Sequence, residues 1–147
     1  MINELYKKLR EQDEYSPEDA YTDKVGKLIR KFKLTENPDG TYSTEGGVDI
    51  SKMNLTSIPV KLKEVGGDFD CSFNKLTSLE GAPEKVNGDF YCAYNKLTSL
   101  EGASKEVGGD FNCYDNELTS LEGAPEIVGG DFYCSYNKLT SLEGAPK

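Results

Sequence analysis

Histidine is absent from the 147-residue chain. Its absence excludes Ser-His-Asp and Cys-His nucleophile systems, histidine metal sites and the simplest pH switch. No apolar run approaches the ~20 residues needed to cross a bilayer. The opening segment also lacks the apolar centre of a secretory signal. There is no Gly-rich phosphate loop, and the four cysteines do not fall into Cys-x-x-Cys pairs. Basic residues are in deficit: 17 against 26 acidic, a net charge of −9. An acidic chain repels phosphate backbones, so direct nucleic-acid binding is not expected. These absences lead us to expect a soluble cytoplasmic protein that is not an enzyme and carries neither cofactor nor metal.

The composition is polar, with 36% apolar residues, but 10% are aromatic, which fits a folded chain. The length fits one domain with a small appendage. The charge is unevenly placed. Residues 1–43 carry 9 acidic and 8 basic side chains, whereas 44–147 carry 17 and 9. The acidity therefore belongs to the second part.

That second part is a repeat. Val65, Val86, Val107 and Val128 lie 21 residues apart. The same spacing relates Asp68, Asp89, Asp110 and Asp131, and likewise Phe69, Phe90, Phe111 and Phe132. Cys71, Asn74, Leu76 and Leu79 begin further rows of the same period. The regular units are 65–85, 86–106, 107–127 and a truncated 128–147, preceded by a degenerate unit 44–64. A 21-residue unit cannot bury its own apolar side chains, but stacked units can. Alternation around Phe69 and Cys71 marks a short strand, with Asp68, Asp70 and Ser72 outward. The Gly-Gly before it and the Gly-Ala-Pro after it supply turns. The Asn after each strand is expected to point inward and bond unpaired backbone groups, giving a ladder. One cysteine per coil predicts a row of buried free thiols rather than disulfides or metal, in keeping with a reducing compartment.

The spacing of Phe69, Cys71, Asn74, Leu76 and Leu79 resembles the leucine-rich repeat pattern of the short bacterial type. Units of this kind, with Gly-Gly-Asp-Phe-x-Cys and Leu-Thr-Ser-Leu-Glu-Gly-Ala-Pro, look similar to ones in proteins of tailed phages and some bacteria. The resemblance implies a right-handed solenoid, with a short parallel β-sheet on the concave face and a mostly irregular convex side. It departs from the family where Gly66, Asn87, Gly108 and Gly129 replace the first Leu. The adjoining valines are expected to fill that space.

Residues 1–43 read as an N-terminal cap that covers the first coil, the alternative being a partner-binding helix of independent function. Ile2, Leu5, Tyr6 and Leu9 have helical spacing, and Ser16-Pro17 reads as a helix start. Tyr21, Val25, Leu28, Ile29 and Phe32 form an apolar stripe. Asn37-Pro38-Asp39-Gly40 predicts a hairpin between 32–36 and 41–45.

The resemblance places the outward strand residues on the concave surface. On this chain they are Asp68, Asp70, Ser72 and Phe73, then Asp89, Tyr91, Ala93 and Tyr94, then Asp110, Asn112, Tyr114 and Asp115, then Asp131, Tyr133, Ser135 and Tyr136. Five of the nine tyrosines fall in this set, and exposed Tyr is a contact residue enriched at interfaces. Stacked Asp needs an offset: local backbone N–H groups, a basic partner or a cation. Five strands give a face on the order of 500 Å², below the roughly 800 Å² per partner of a standard interface.

The leading expectation is a non-enzymatic protein-binding module with an acidic, Tyr-rich concave face. Its partner would carry a basic and apolar patch, and the phage-like appearance points to a host defence or regulatory protein. Two alternatives are an acidic DNA mimic that blocks a nucleic-acid-binding protein, and a structural virion or effector-targeting repeat. No polar cap follows the last unit, so 128–147 is expected to self-associate or dock a partner.

Overall fold

The computed structural model describes residues 17–146, with side chains from Asp23 onward. The proposed first helix over Ile2, Leu5, Tyr6 and Leu9, the Ser16 cap and the Tyr21 side chain lie outside the described residues. Among the described residues the chain is a parallel β-solenoid of about four turns preceded by one helix, α1 (Pro17–Lys31). The described part of this helix starts at Pro17.

Two ladders of short strands run the length of the coil. In the first, β1 (Thr35–Glu36) pairs antiparallel with β2 (Tyr42–Thr44) across the Asn37–Gly40 turn. From β2 the ladder continues in parallel through β4 (Leu62–Val65), β6 (Lys85–Val86), β8 (Glu106–Val107) and β10 (Ile127–Val128). The second contains β3 (Val48–Asp49), β5 (Phe69–Asp70), β7 (Phe90–Tyr91), β9 (Phe111–Asn112) and β11 (Phe132–Tyr133). The register is the repeat itself: Val65 faces Val86, and Phe69 faces Phe90. The solenoid expectation holds, and the structure adds the valine ladder as a second sheet. Val65, Val86 and Val107 of that ladder are fully buried.

The coils of 65–85, 107–127 and 128–147 turn from the first ladder to the second through a Gly-Gly-Asp corner, and that of 86–106 through Asn87-Gly88-Asp89. The second glycine is required by a close approach. A Cβ on Gly109 would overlap Oδ1 of Asp89, and one on Gly130 would overlap Oδ1 of Asp110. That oxygen must sit there because it accepts the backbone N–H of the next coil's aspartate.

The core is continuous from cap to coil. Phe69, Phe90 and Phe111 are fully buried, as are Leu76, Leu97 and Leu118 and Leu79, Leu100 and Leu121. Val25, Leu28 and Ile29 of α1 join the same cluster, with Phe32 packed against it. These four residues of the stripe thus share one apolar core with the coils.

Asparagine secures the turn after each strand. Asn95 Oδ1 accepts the N–H of Leu76 (3.0 Å), and its Nδ2 donates to the carbonyls of Cys71 (3.0 Å) and Cys92 (3.2 Å). Asn116 and Asn137 repeat the pattern on Leu97 and Leu118. Buried backbone groups left by the bend are thereby paired across coils. All four cysteines are free, and Cys71, Cys92 and Cys113 are buried. Burial pushes the Cys113 thiol up to about 12 and shifts Cys71 and Cys92 upward too. Ser104 stands where other units have proline, and its buried hydroxyl donates to the Pro83 carbonyl.

Candidate functional site

The face carried by the second ladder presents its side chains in rows, because equivalent residues stack coil on coil. The first row is Asp68, Asp89, Asp110 and Asp131. Oδ1 of each of the first three accepts the N–H of the next aspartate, at 2.7–2.8 Å. Each bond puts a carboxylate against an N–H donor, which offsets like-charge repulsion along the row. Local backbone bonding thus answers the question posed by the stacked charges.

The second row is Asp70, Tyr91, Asn112 and Tyr133, aligned by strand register. Two kinds of residue alternate in it. Oδ1 of Asp70 and of Asn112 accepts the N–H two residues on. Tyr91 and Tyr133 instead donate their hydroxyls to Oδ2 of Asp89 (2.7 Å) and Asp131 (3.1 Å). The Asp89 hydrogen bond, then burial, raises the Tyr91 phenol to about 12. The Asp131 bond shifts Tyr133 upward in the same way.

The third row is aromatic: Phe73, Tyr94, Tyr114 and Tyr136. Successive ring centroids are 4.4, 5.4 and 4.9 Å apart. Phe73, Tyr94 and Tyr136 remain 50%, 41% and 72% exposed. Phe73, Tyr94, Asp115 and Tyr136 share a left-handed backbone, with φ of 54–57°. In the third coil that position holds Asp115, which is exposed, and the ring comes from the preceding residue, Tyr114. At the N-terminal end of the row, Lys52 Nζ lies 5.3 Å from the Phe73 ring centre.

All thirteen candidate residues lie on this one face, in three rows plus Asp115. Two outward expectations fail: Ser72 and Ala93 are buried. Strand alternation lasts only two residues here, and beyond Cys71 and Cys92 the chain bends into the left-handed turn. The continuous aromatic row went unrecognised because Tyr114 is out of step with Tyr94. The signal was the exchange of Ala93-Tyr94 for Tyr114-Asp115 between adjacent units. Among the described residues, no group of three or more Cys, Asp or Glu is arranged to hold a metal ion. Among them too, no helix is long and apolar enough to cross a membrane.

No protein-family model matches this chain, and no curated protein or solved structure matches it either.

Proposed function

We propose that the chain is a non-enzymatic protein-binding module of leucine-rich-repeat type, which holds a partner on the face of its second ladder. The observation that carries this reading is the row of four aromatic rings, three of them exposed and Tyr114 half-buried, beside two rows bearing Asp and Tyr. The core is complete without these rings, so their exposure is not a packing requirement. Phe73 and Tyr94 stack at 13°, whereas Tyr94–Tyr114 and Tyr114–Tyr136 are tilted at 57° and 51°. A partner therefore meets a mixture of ring faces, ring edges and phenol hydroxyls. That suits the varied groups of a protein surface better than a stack of planar bases.

The partner's chemistry is basic and apolar. Lys52 over Phe73 is an intramolecular instance of the cation–π contact that an incoming Arg or Lys would make. Asp115 and the free carboxylate oxygens of the first row add charge complementarity. The unpaired thiols suit a reducing cytoplasm, and the resemblance points to a phage-encoded protein directed at a host defence or regulatory factor. The DNA-mimic reading rests on net charge alone. Lys75, Lys96 and Lys138 recur two residues after the ring positions and interrupt the anionic field.

The test is affinity capture from bacterial lysate with the wild-type chain and a Tyr94→Ala, Tyr114→Ala, Tyr136→Ala variant in parallel. Calorimetry on the purified partner follows. Binding that disappears in the folded variant supports the reading; binding that survives overturns it.

A further inference from the structure

The aromatic row advances by 4.4, 5.4 and 4.9 Å from ring to ring, one ring per coil. An α-helix rises about 5.4 Å per turn, so its residues i, i+4, i+7 and i+11 offer one contact per coil over about 16 Å. Laid along the row, those four residues drift from the four rings by no more than about 2 Å. An extended segment presents same-face side chains about every 6.6 Å and would run about 5 Å past the last of the four rings. A stack of strands also steps by about 4.8 Å. The nearest such stack is a second copy of this chain, whose aspartate rows would oppose these.

One coil breaks the regularity of the face. The inward Phe, Cys, Asn and Leu positions of the third coil match those of the coils on either side. Its outward positions do not. Asp115 and Glu117 stand where the second coil has Tyr94 and Lys96 and the fourth has Tyr136 and Lys138, and all six are exposed. Core packing does not account for the change, because no core residue accompanies it. Elsewhere in the row, Lys52 already holds its ammonium 5.3 Å from the Phe73 ring centre, which disfavours a second cation there. The row is therefore apolar at Phe73 and acidic at Asp115.

We propose that the partner presents an α-helix to this face, lying along the aromatic row with one turn per coil, and that an Arg or Lys of that helix sits over the third coil. The inference rests on the reading of the face as a docking surface and adds the partner's secondary structure and register. Asp115 supplies the carboxylate. Tyr114 and Tyr136, with centroids 4.9 Å apart, supply ring surface for the same cation. The turn over Phe73 carries an apolar side chain instead.

Fluorescence anisotropy on the full chain, with two synthetic peptides of equal composition, tests the proposal. The helical probe carries Leu at i and i+11 and Arg at i+4 and i+7, a spacing that reads the same in both directions. The strand probe carries the same four residues at alternate positions. The helical probe should bind about tenfold more tightly or better. Asp115→Arg should weaken it about tenfold or more. Lys52 has the same left-handed backbone, with φ of 56°, so a long basic side chain fits that conformation. Changing one inner arginine of the probe to glutamate, at i+4 or at i+7, should recover binding to Asp115→Arg at one of the two positions, which gives the helix direction. Tighter binding of the strand probe, lost in Tyr94→Ala, overturns the helix and leaves the docking reading standing. Helical binding indifferent to Asp115→Arg, or no binding by either probe, also overturns it. So does a dimer in sedimentation velocity that Tyr94→Ala abolishes, since a second copy is then the occupant. The capture from lysate judges the docking reading independently.

Discussion

Truncating Asn95 to alanine is the sharpest probe of how the coils are joined. The side chain is buried and accepts the Leu76 N–H at 3.0 Å. It also donates to the carbonyls of Cys71, Cys92 and Ala93. After Asn95→Ala, the Cys71 carbonyl keeps the Asn74 amide and the Cys92 carbonyl keeps that of Asn116. The Leu76 N–H keeps nothing. An orphaned buried donor costs about 1–3 kcal/mol, with about 1 kcal/mol more for the bonds lost. The expected loss is about 3 kcal/mol. Asn137 makes the equivalent bond to Leu118 at 3.0 Å but sits only partly buried in the last described coil, where water can replace it. Asn137→Ala should cost about 1 kcal/mol. Asn95→Asp keeps the shape but aims an acceptor at three carbonyl oxygens, so the buried acid prefers its protonated form. Its folded pKa is then raised above the unfolded value near 4. Stability is retained below that value and lost as pH rises through the folded one. Urea denaturation followed by circular dichroism, at acidic and neutral pH, reads all three variants. The reasoning fails if Asn137→Ala costs as much as Asn95→Ala, or if Asn95→Asp matches the wild type at neutral pH.

Gly109→Ala should cost about 2 kcal/mol, because the added methyl displaces the Asp89 carboxylate from the Asp110 N–H. Gly46→Ala, with open space around its Cβ position, should be close to neutral in the same denaturation series. Alkylation of the dilute native protein, read by mass spectrometry, should modify Cys134 first. Cys71, Cys92 and Cys113 should react only on unfolding, so early labelling of Cys92 would contradict the buried thiol row. In a spectrophotometric titration, Asp89→Asn should bring the Tyr91 phenol down from about 12 towards its ordinary value near 10. Tyr91 is raised in the folded state, so its contribution to stability is complete below pH ~10 and disappears as pH climbs towards 12. An unchanged titration would show that Asp89 is not the cause.

Much of the fold is written in the period of the sequence. Spacing alone identifies the coil, the inward Phe, Cys and Leu rows and the Asn ladder, because every unit repeats the same local chemistry. The valine ladder was harder to read. Its strands are mostly two residues long, too short for alternation to declare itself, and the Gly-Gly corner separates them from the Phe strands. The buried Ser72 and Ala93 escaped for a related reason: a period-two pattern was extended past the point where the backbone turns left-handed. The Asp row was visible as a row but not as a bond. Its partner N–H groups belong to the neighbouring coil, and only the three-dimensional register brings them within reach. The face was legible residue by residue, but its aromatic continuity depends on Tyr114 crossing over to the place of Asp115.

Because the coil-to-coil bonds of the regular units join a residue to one about 21 positions away, the molecule has a quantised length. A duplication or excision of one whole unit leaves each surviving rung with a correct neighbour and lengthens or shortens every row by one step. Inserting a single residue inside a unit offers no such escape, since it throws the Asp, Asn and ring rows of that coil out of step together. Descendants of this chain should therefore differ in size by jumps of a full turn, and the reach of the aromatic row should change with them.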